Sequence, residues 1–248
     1  MRNILLSASV LALAACGAAE TTAPAQSQET TTQEAPATTT AEPTAAPAGE
    51  TAEAPEMGPA GTYKMDPTHT SLIWKVNHFG LSNYTARLNS VDGTLVFNPD
   101  DASATSLDVT IDPTSVETDY PADFKAGHPD SPYDSFDQEI SQSEDYFNAG
   151  EFPTITFKST DVTTTGPNTG TVTGDLTFRD VTKPVTLDVT YNGTTTFPWA
   201  PDTPKIGFSA TGSFKRSDYG LDIMVPNLGD DIEIVIETEF ELADAASE

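Results

Sequence analysis

The sequence predicts an all-β domain of about eight antiparallel strands over residues 61–248, preceded by an export segment and a polar tether. Two observations carry this. From Thr70 onward, apolar residues recur at every second position, so each run has one apolar face and one polar, Thr-rich face, as a strand covered on a single side requires. Turn-forming pairs punctuate the runs: Asp92–Gly93, Asn98–Pro99, Asp112–Pro113, Gly166–Pro167, Asn192–Gly193 and Pro226–Asn227. Such strands cover their apolar faces either as a sandwich or as a closed barrel, and periodicity leaves both open.

Taken in order, Leu72, Trp74 and Val76 alternate with Ile73, Lys75 and Asn77, and Leu107, Val109 and Ile111 alternate with Asp108, Thr110 and Asp112. Ile155 and Phe157 follow, then the stripe Val172, Gly174, Leu176, Phe178. Val185 to Tyr191, Ile206 to Phe214 and Ile232 to Phe240 supply three more stripes. Small Gly174, Ala210 and Gly212 on otherwise bulky stripes point to tight curvature or to space left inside. Between Thr114 and Phe152 the rhythm stops. Asp134 to Gln142 reads as a short helix capped by Asp134 or Ser135, and Ser143 to Phe147 as a further helical turn. A stretch this long without strand pattern reads as a lid or a crossing connection.

The N-terminal region has a different composition. Arg2, the apolar run Ile4 to Leu13 and the small pair Ala14–Ala15 form an export signal too short to span a bilayer. The only cysteine, Cys16, follows at once, and this arrangement resembles the lipobox of bacterial lipoproteins. The resemblance implies cleavage after residue 15 and acylation of Cys16, with two or more chains giving stable anchoring. Gly17, in place of an aspartate retention signal, implies the outer membrane, facing the periplasm. Gly17 to Ala60 hold almost only Ala, Thr, Pro, Glu and Gln, which predicts a disordered tether spanning roughly 35 Å.

The formal net charge of −27 and the lack of a basic stripe exclude nucleic acid and disfavour anionic surfaces. With no cysteine after Cys16, the domain is held together without disulfides.

Several segments resemble the YceI-like family of exported, lipocalin-like proteins. They are Tyr63 to Thr70 continuing through Ile73 to Gly80, Val91 to Leu95, Asp108 to Val116, Ser143 to Asn148, Phe152 to Thr160, and Thr173 to Phe178 with Val181 to Thr186. The likeness runs from Tyr63 to Glu241. It implies a lipocalin-like antiparallel barrel of about eight strands, with a short helical segment in one long connection. It also implies an apolar tunnel for a polyisoprenoid or an isoprenoid quinone. The chain departs from the pattern between Lys125 and Gln142, where Gly127 to Pro132 form an insertion and the expected basic residues are absent. A neutral head group therefore fits better than a pyrophosphate.

The bulky candidates to line such a tunnel are Trp74, Phe79, Tyr84, Phe97, Phe147, Phe157, Phe178, Phe208, Phe214 and Tyr219. Each buried methylene contributes about 0.8 kcal/mol against an association cost of roughly 4–15 kcal/mol, so a tight ligand must be a long chain. No metal site is expected: His69 and His78 face opposite ways on a straight strand, and Asp119, Asp123, Asp130, Asp134 and Asp137 lack the pattern of a calcium loop. No nucleophile elbow or phosphate loop is present, so no catalytic residue is assigned and no cofactor is expected beyond the bound lipid. The rival expectation is a solid barrel serving as a protein-interaction or adhesion module. The oligomeric state is left open between a monomer and a homodimer.

Overall fold

The structure is a computed structural model that describes residues 54–245. The export segment, Cys16 and the tether up to residue 53 lie outside the described residues. Eleven strands occur in the order β1 (Gly61–Met65), β2 (Ser71–His78), β3 (Ser82–Leu88), β4 (Val91–Phe97), β5 (Ser106–Ile111), β6 (Val116–Glu117), β7 (Ile155–Thr164), β8 (Thr169–Phe178), β9 (Val181–Phe197), β10 (Ala200–Lys215) and β11 (Leu228–Ala245). The sheet runs β1-β4-β5-β7-β8-β9-β10-β11, and β11 pairs back onto β1. Every pairing is antiparallel, so the eight form a closed lipocalin-like barrel, not a sandwich. Strand β11, of 18 residues, sets the barrel height at roughly 40 Å once strand tilt is allowed for.

Strands β2, β3 and β6 continue the line of β1, β4 and β5. β11 pairs with β1 through its second half and with β2 through its first, and β2 then pairs with β3 and β3 with β6. The breaks between these halves lie side by side, and two of them have the same local cause. In Asp66–Pro67–Thr68 and Asp112–Pro113–Thr114, proline fixes φ for a 3-10 turn, and the aspartate Oδ1 accepts from the threonine N–H and hydroxyl two residues on. The breaks are zipped together by Asp112 N–H donating to Ser90 O at 3.0 Å and Asn89 N–H to Ser115 O at 3.2 Å. Asp112–Pro113 thus bends a strand line without reversing it.

Two other expected turns lie inside strands. Asp92–Gly93 lies inside β4, where Gly93 faces Met65 and Val109. Asn192–Gly193 lies inside β9 at a bulge opposite Gly207 and Phe208. The small residues on the stripes serve close packing more than open space. A Cβ on Gly174 would stand 2.4 Å from the Phe157 ring, and one on Gly212 would stand 2.7 Å from Leu187 Cδ2. Ala210 does border a cavity.

The connection from Thr118 to Thr154 bridges β6 to β7 where β6 has no further strand neighbour. It carries α1 (Phe124–Gly127), a single turn with no periodic pattern in the sequence, and α2 (Phe136–Gln142), capped by Ser135. Ser143 to Phe147 form hydrogen-bonded turns, not helix. Residues 54–60, expected to belong to the tether, pack on the barrel. Gly58 is buried, its N–H donates to Tyr191 Oη at 2.9 Å, and Pro59 O accepts from Tyr63 Oη at 2.7 Å.

Candidate functional site: a two-chambered bore

The barrel is not solid. A wide chamber of about 560 Å³ opens at the end bearing the β2–β3 hairpin and the Thr118–Thr154 connection. A narrow chamber of about 250 Å³ opens at the opposite end, between Asn98–Pro99 and the β7–β8 hairpin. They meet at a waist of four aliphatic residues, Leu72, Ile111, Leu176 and Ile234, which border both. The wide chamber alone lies within the size range of small-molecule sites, about 300–1,000 Å³.

Strand alternation places the walls. In the wide chamber, Trp74 and Val76 of β2 and Tyr84 of β3 face Phe214 of β10 and Ile232 of β11, and the long connection adds Phe136, Ile140 and Phe147. Trp74 lies 6.2 Å from Tyr84 and 6.3 Å from Phe147 between ring centroids, and Phe178 lies 5.5 Å from Phe147. In the narrow chamber Phe97 packs against Tyr63, Tyr191 and Phe208 at 5.9–6.3 Å, and Phe157 lines the same chamber. These rings are held by one another, and Tyr63 is fully buried. Burial pushes the Tyr63 hydroxyl up to about 12.

Nine of the ten aromatic candidates border a chamber: Trp74, Phe79, Tyr84, Phe147, Phe178 and Phe214 the wide one, and Phe97, Phe157 and Phe208 the narrow one. Phe79 stands at the mouth, 46% exposed. Tyr219 belongs to neither wall. It lies behind Phe178 and Phe214, at 5.8 and 5.3 Å, 2% exposed, with a hydroxyl that finds no partner among the described residues and that burial pushes up to about 12. The four waist residues lie on the same alternating stripes, where bulk alone does not single them out.

Arg216 was missed without any local signal. It follows the β10 stripe as a surface cation would, yet it is 7% exposed and borders the wide chamber. Its guanidinium donates to the carbonyls of Gly229, Leu221, Ile223 and Leu228 at 2.7–3.0 Å, pinning the segment that carries Leu221, Met224 and Leu228 into the wall. Burial lowers its pKa from the usual arginine value, with Asp230 opposing.

Three of the five loop acids hold the local structure, and His78 and His128 border the wide chamber. Asp123 caps α1, Asp137 accepts from the Thr118 N–H at 2.8 Å, and Asp119 pairs with Arg87 at 2.8 Å. His69 lies in the 3-10 turn, not on a strand, and with Asp66 and Glu239 it brings ligand-type atoms within 4.8 Å of one another. The Lys205 ammonium already sits there, 2.7 Å from Asp66 Oδ2, both side chains nearly buried. Burial raises the Asp66 pKa, but hydrogen bonds from Lys205, Thr68 and His69 outweigh it and hold the carboxyl below the usual range.

Residues 63–240 match the family model described as a YceI-like domain. A UPF0312 protein of Vibrio cholerae is 31% identical over 180 residues, covering 72% of this chain and 87% of that protein. Protein YceI of Escherichia coli is 30% identical over 182 residues, 73% and 86% of the two chains. Among solved structures, the Campylobacter jejuni YCEI protein aligns with a TM-score of 0.51 at 29% identity, over 70% of this chain and 91% of that one. Burkholderia cenocepacia BcnA aligns with a TM-score of 0.57 at 18% identity, over 71% and 98%, a likeness of fold.

Proposed function

The chain belongs to the YceI-like family, and on that premise we propose that it binds and carries a long-chain amphiphile of the polyisoprenoid type, an isoprenoid quinone or polyprenyl lipid, in its bore. The observation that carries this reading is the pair of apolar chambers that lie one beyond the other in the barrel and share four aliphatic wall residues. A compact ligand needs one chamber; a long apolar chain uses both, and burying its methylenes is the driving force. Binding is passive in this reading, and no reaction step is assigned.

Cation bonding around the wide mouth supports a neutral head group. Arg216 spends its donors on four carbonyls. Lys125 donates to Ser131 O, and Arg179 to Glu144 O and Gly220 O. Lys215 pairs with Asp230 and Asp231. A pyrophosphate would have to displace these bonds, whereas a quinone or alcohol oxygen asks for one donor. Export, and anchoring by acylation of Cys16 to the outer membrane on its periplasmic face, belong to the same proposal and are supported by the Arg2 to Cys16 sequence.

The test is native mass spectrometry with lipid extraction on the Cys16→Ala chain purified without detergent. A stoichiometric isoprenoid, or stoichiometric uptake of added quinone, is the expected result. A bare protein mass that takes up neither quinone nor polyprenol overturns the reading.

A further inference from the structure

The two ends of the barrel differ in a way that bears on how it meets a membrane. At the narrow end, the β9–β10 hairpin presents Trp199, 79% exposed, its ring stacked on Phe197 at 4.9 Å. Phe197 is held from below by Lys205 Nζ, 5.4 Å from the ring centroid. One exposed aromatic side chain is unremarkable on a protein surface. This one, however, stands beside the point where the chain arrives from Cys16. Glu56 O accepts from Tyr191 Oη at 3.1 Å, and Pro55 lies 3.6 Å from the position a Cβ on Gly193 would take, at the bulge in the same hairpin. Met57, 42% exposed, borders the mouth of the narrow chamber at this end.

Charge separates the ends as well. The narrow-end loops from Asn98 to Thr105, Thr165 to Asn168 and Pro198 to Trp199 carry only Asp100 and Asp101 as ionisable groups, to which Asp202 just beyond the hairpin, Glu56 in the arriving segment and Asp244 near the end of β11 add three more acids. At the wide end the long connection alone holds Asp119, Asp123, Asp130, Asp134, Glu144 and Asp145 among its acids, against Lys125 as its only Lys or Arg. An anionic bilayer surface repels the wide end more strongly. Tryptophan favours the membrane–water boundary, where its ring is half in apolar surroundings and its N–H reaches water.

We propose that the narrow end docks on a phospholipid bilayer with Phe197, Pro198 and Trp199 seated in the headgroup layer, which aims the narrow mouth at the membrane. This rests on the lipid-anchor reading, and it adds an orientation that a long tether by itself leaves free. Leu81, 86% exposed, and Phe79 and Met224 form the rival apolar surface at the wide mouth, which is the more acidic end and the one away from the arriving chain.

The experiment uses the full acylated chain in vesicles of phosphatidylethanolamine and phosphatidylglycerol containing lipid brominated near the headgroup. Trp74→Phe leaves Trp199 as the only tryptophan. A second chain carries Trp74→Phe, Trp199→Phe and Leu81→Trp. The expected result is a blue-shifted Trp199 emission that falls roughly two-fold on the brominated vesicles, with the residue 81 reporter unquenched. Quenching at position 81 and not at Trp199 overturns the proposal in favour of the wide end. Quenching at neither, with the chain floating with vesicles, overturns docking and leaves the anchor intact. A chain that does not float overturns the anchor reading and the docking with it.

Discussion

The narrow and wide chambers share a barrel but are built differently. The narrow chamber is walled by paired strands and by rings that pack on one another, with Phe97 between Tyr63, Tyr191 and Phe208. Much of the wide chamber is walled by loops: the long connection supplies Phe136, Ile140 and Phe147, and a segment whose carbonyls converge on one buried guanidinium supplies Leu221, Met224 and Leu228. One end is shaped mainly by strand register. The other is shaped by a few side-chain-to-backbone bonds, and it holds the larger cavity. Local stability and room for a ligand therefore trade against each other along one barrel.

Substitutions that cut the two walls break this comparison most directly. Phe97→Ala removes a ring from the self-packed cluster and is expected to lower unfolding free energy by about 4 kcal/mol, read from the denaturant midpoint. Phe214→Ala, in the wide wall, is expected to cost roughly half as much stability while weakening retention of a bound quinone more than Phe97→Ala does. Equal stability losses with unchanged retention would mark both residues as plain core.

Arg216→Met tests whether the wide wall hangs on one cation. Four carbonyls lose their donor, and a loss of about 3 kcal/mol is expected, together with faster hydrogen exchange confined to residues 221–229. Gly174→Ala forces a Cβ against the Phe157 ring and the Lys158 carbonyl, with an expected cost of about 2 kcal/mol and no change in ligand retention at the wide end.

The smallest effect is on pH. Asp66 is held below its usual pKa, so its share of stability is complete above the unfolded value of about 3.9 and is lost as pH falls through the folded one. The stability gap between the native chain and Asp66→Asn should stay level from about pH 5 to 8 and close below about pH 3. The Lys205 pKa is raised, chiefly by its hydrogen bond to Asp66, so its contribution holds below about pH 10 and fades only as pH rises beyond that. A gap that widens in acid would contradict the buried pairing.

The strands were legible because alternation survives wherever one face is buried, as along Val185 to Tyr191. Closure was not, because the β1–β11 pairing joins residues at opposite ends of the domain and leaves no local trace. Asp92–Gly93 and Asn192–Gly193 misled for a physical reason. Glycine served strand packing in the first pair and a bulge in the second, and the dipeptide looks the same in a turn. The aromatic wall was readable from stripe position, but Tyr219 follows its strand in a 3-10 turn and so falls behind the wall. Arg216 shows the limit most clearly, since its burial is created by a chain segment that returns several residues later.

Retention of an apolar chain in the bore is tested most directly by titrating the Trp199→Phe chain with a long-tailed quinone while following Trp74, then the only tryptophan and one that borders the wide chamber. The bore predicts quenching that saturates at one quinone per chain and is reversed by a polyprenol competitor. Quenching that only rises linearly, as for free tryptophan in the same solution, would contradict it.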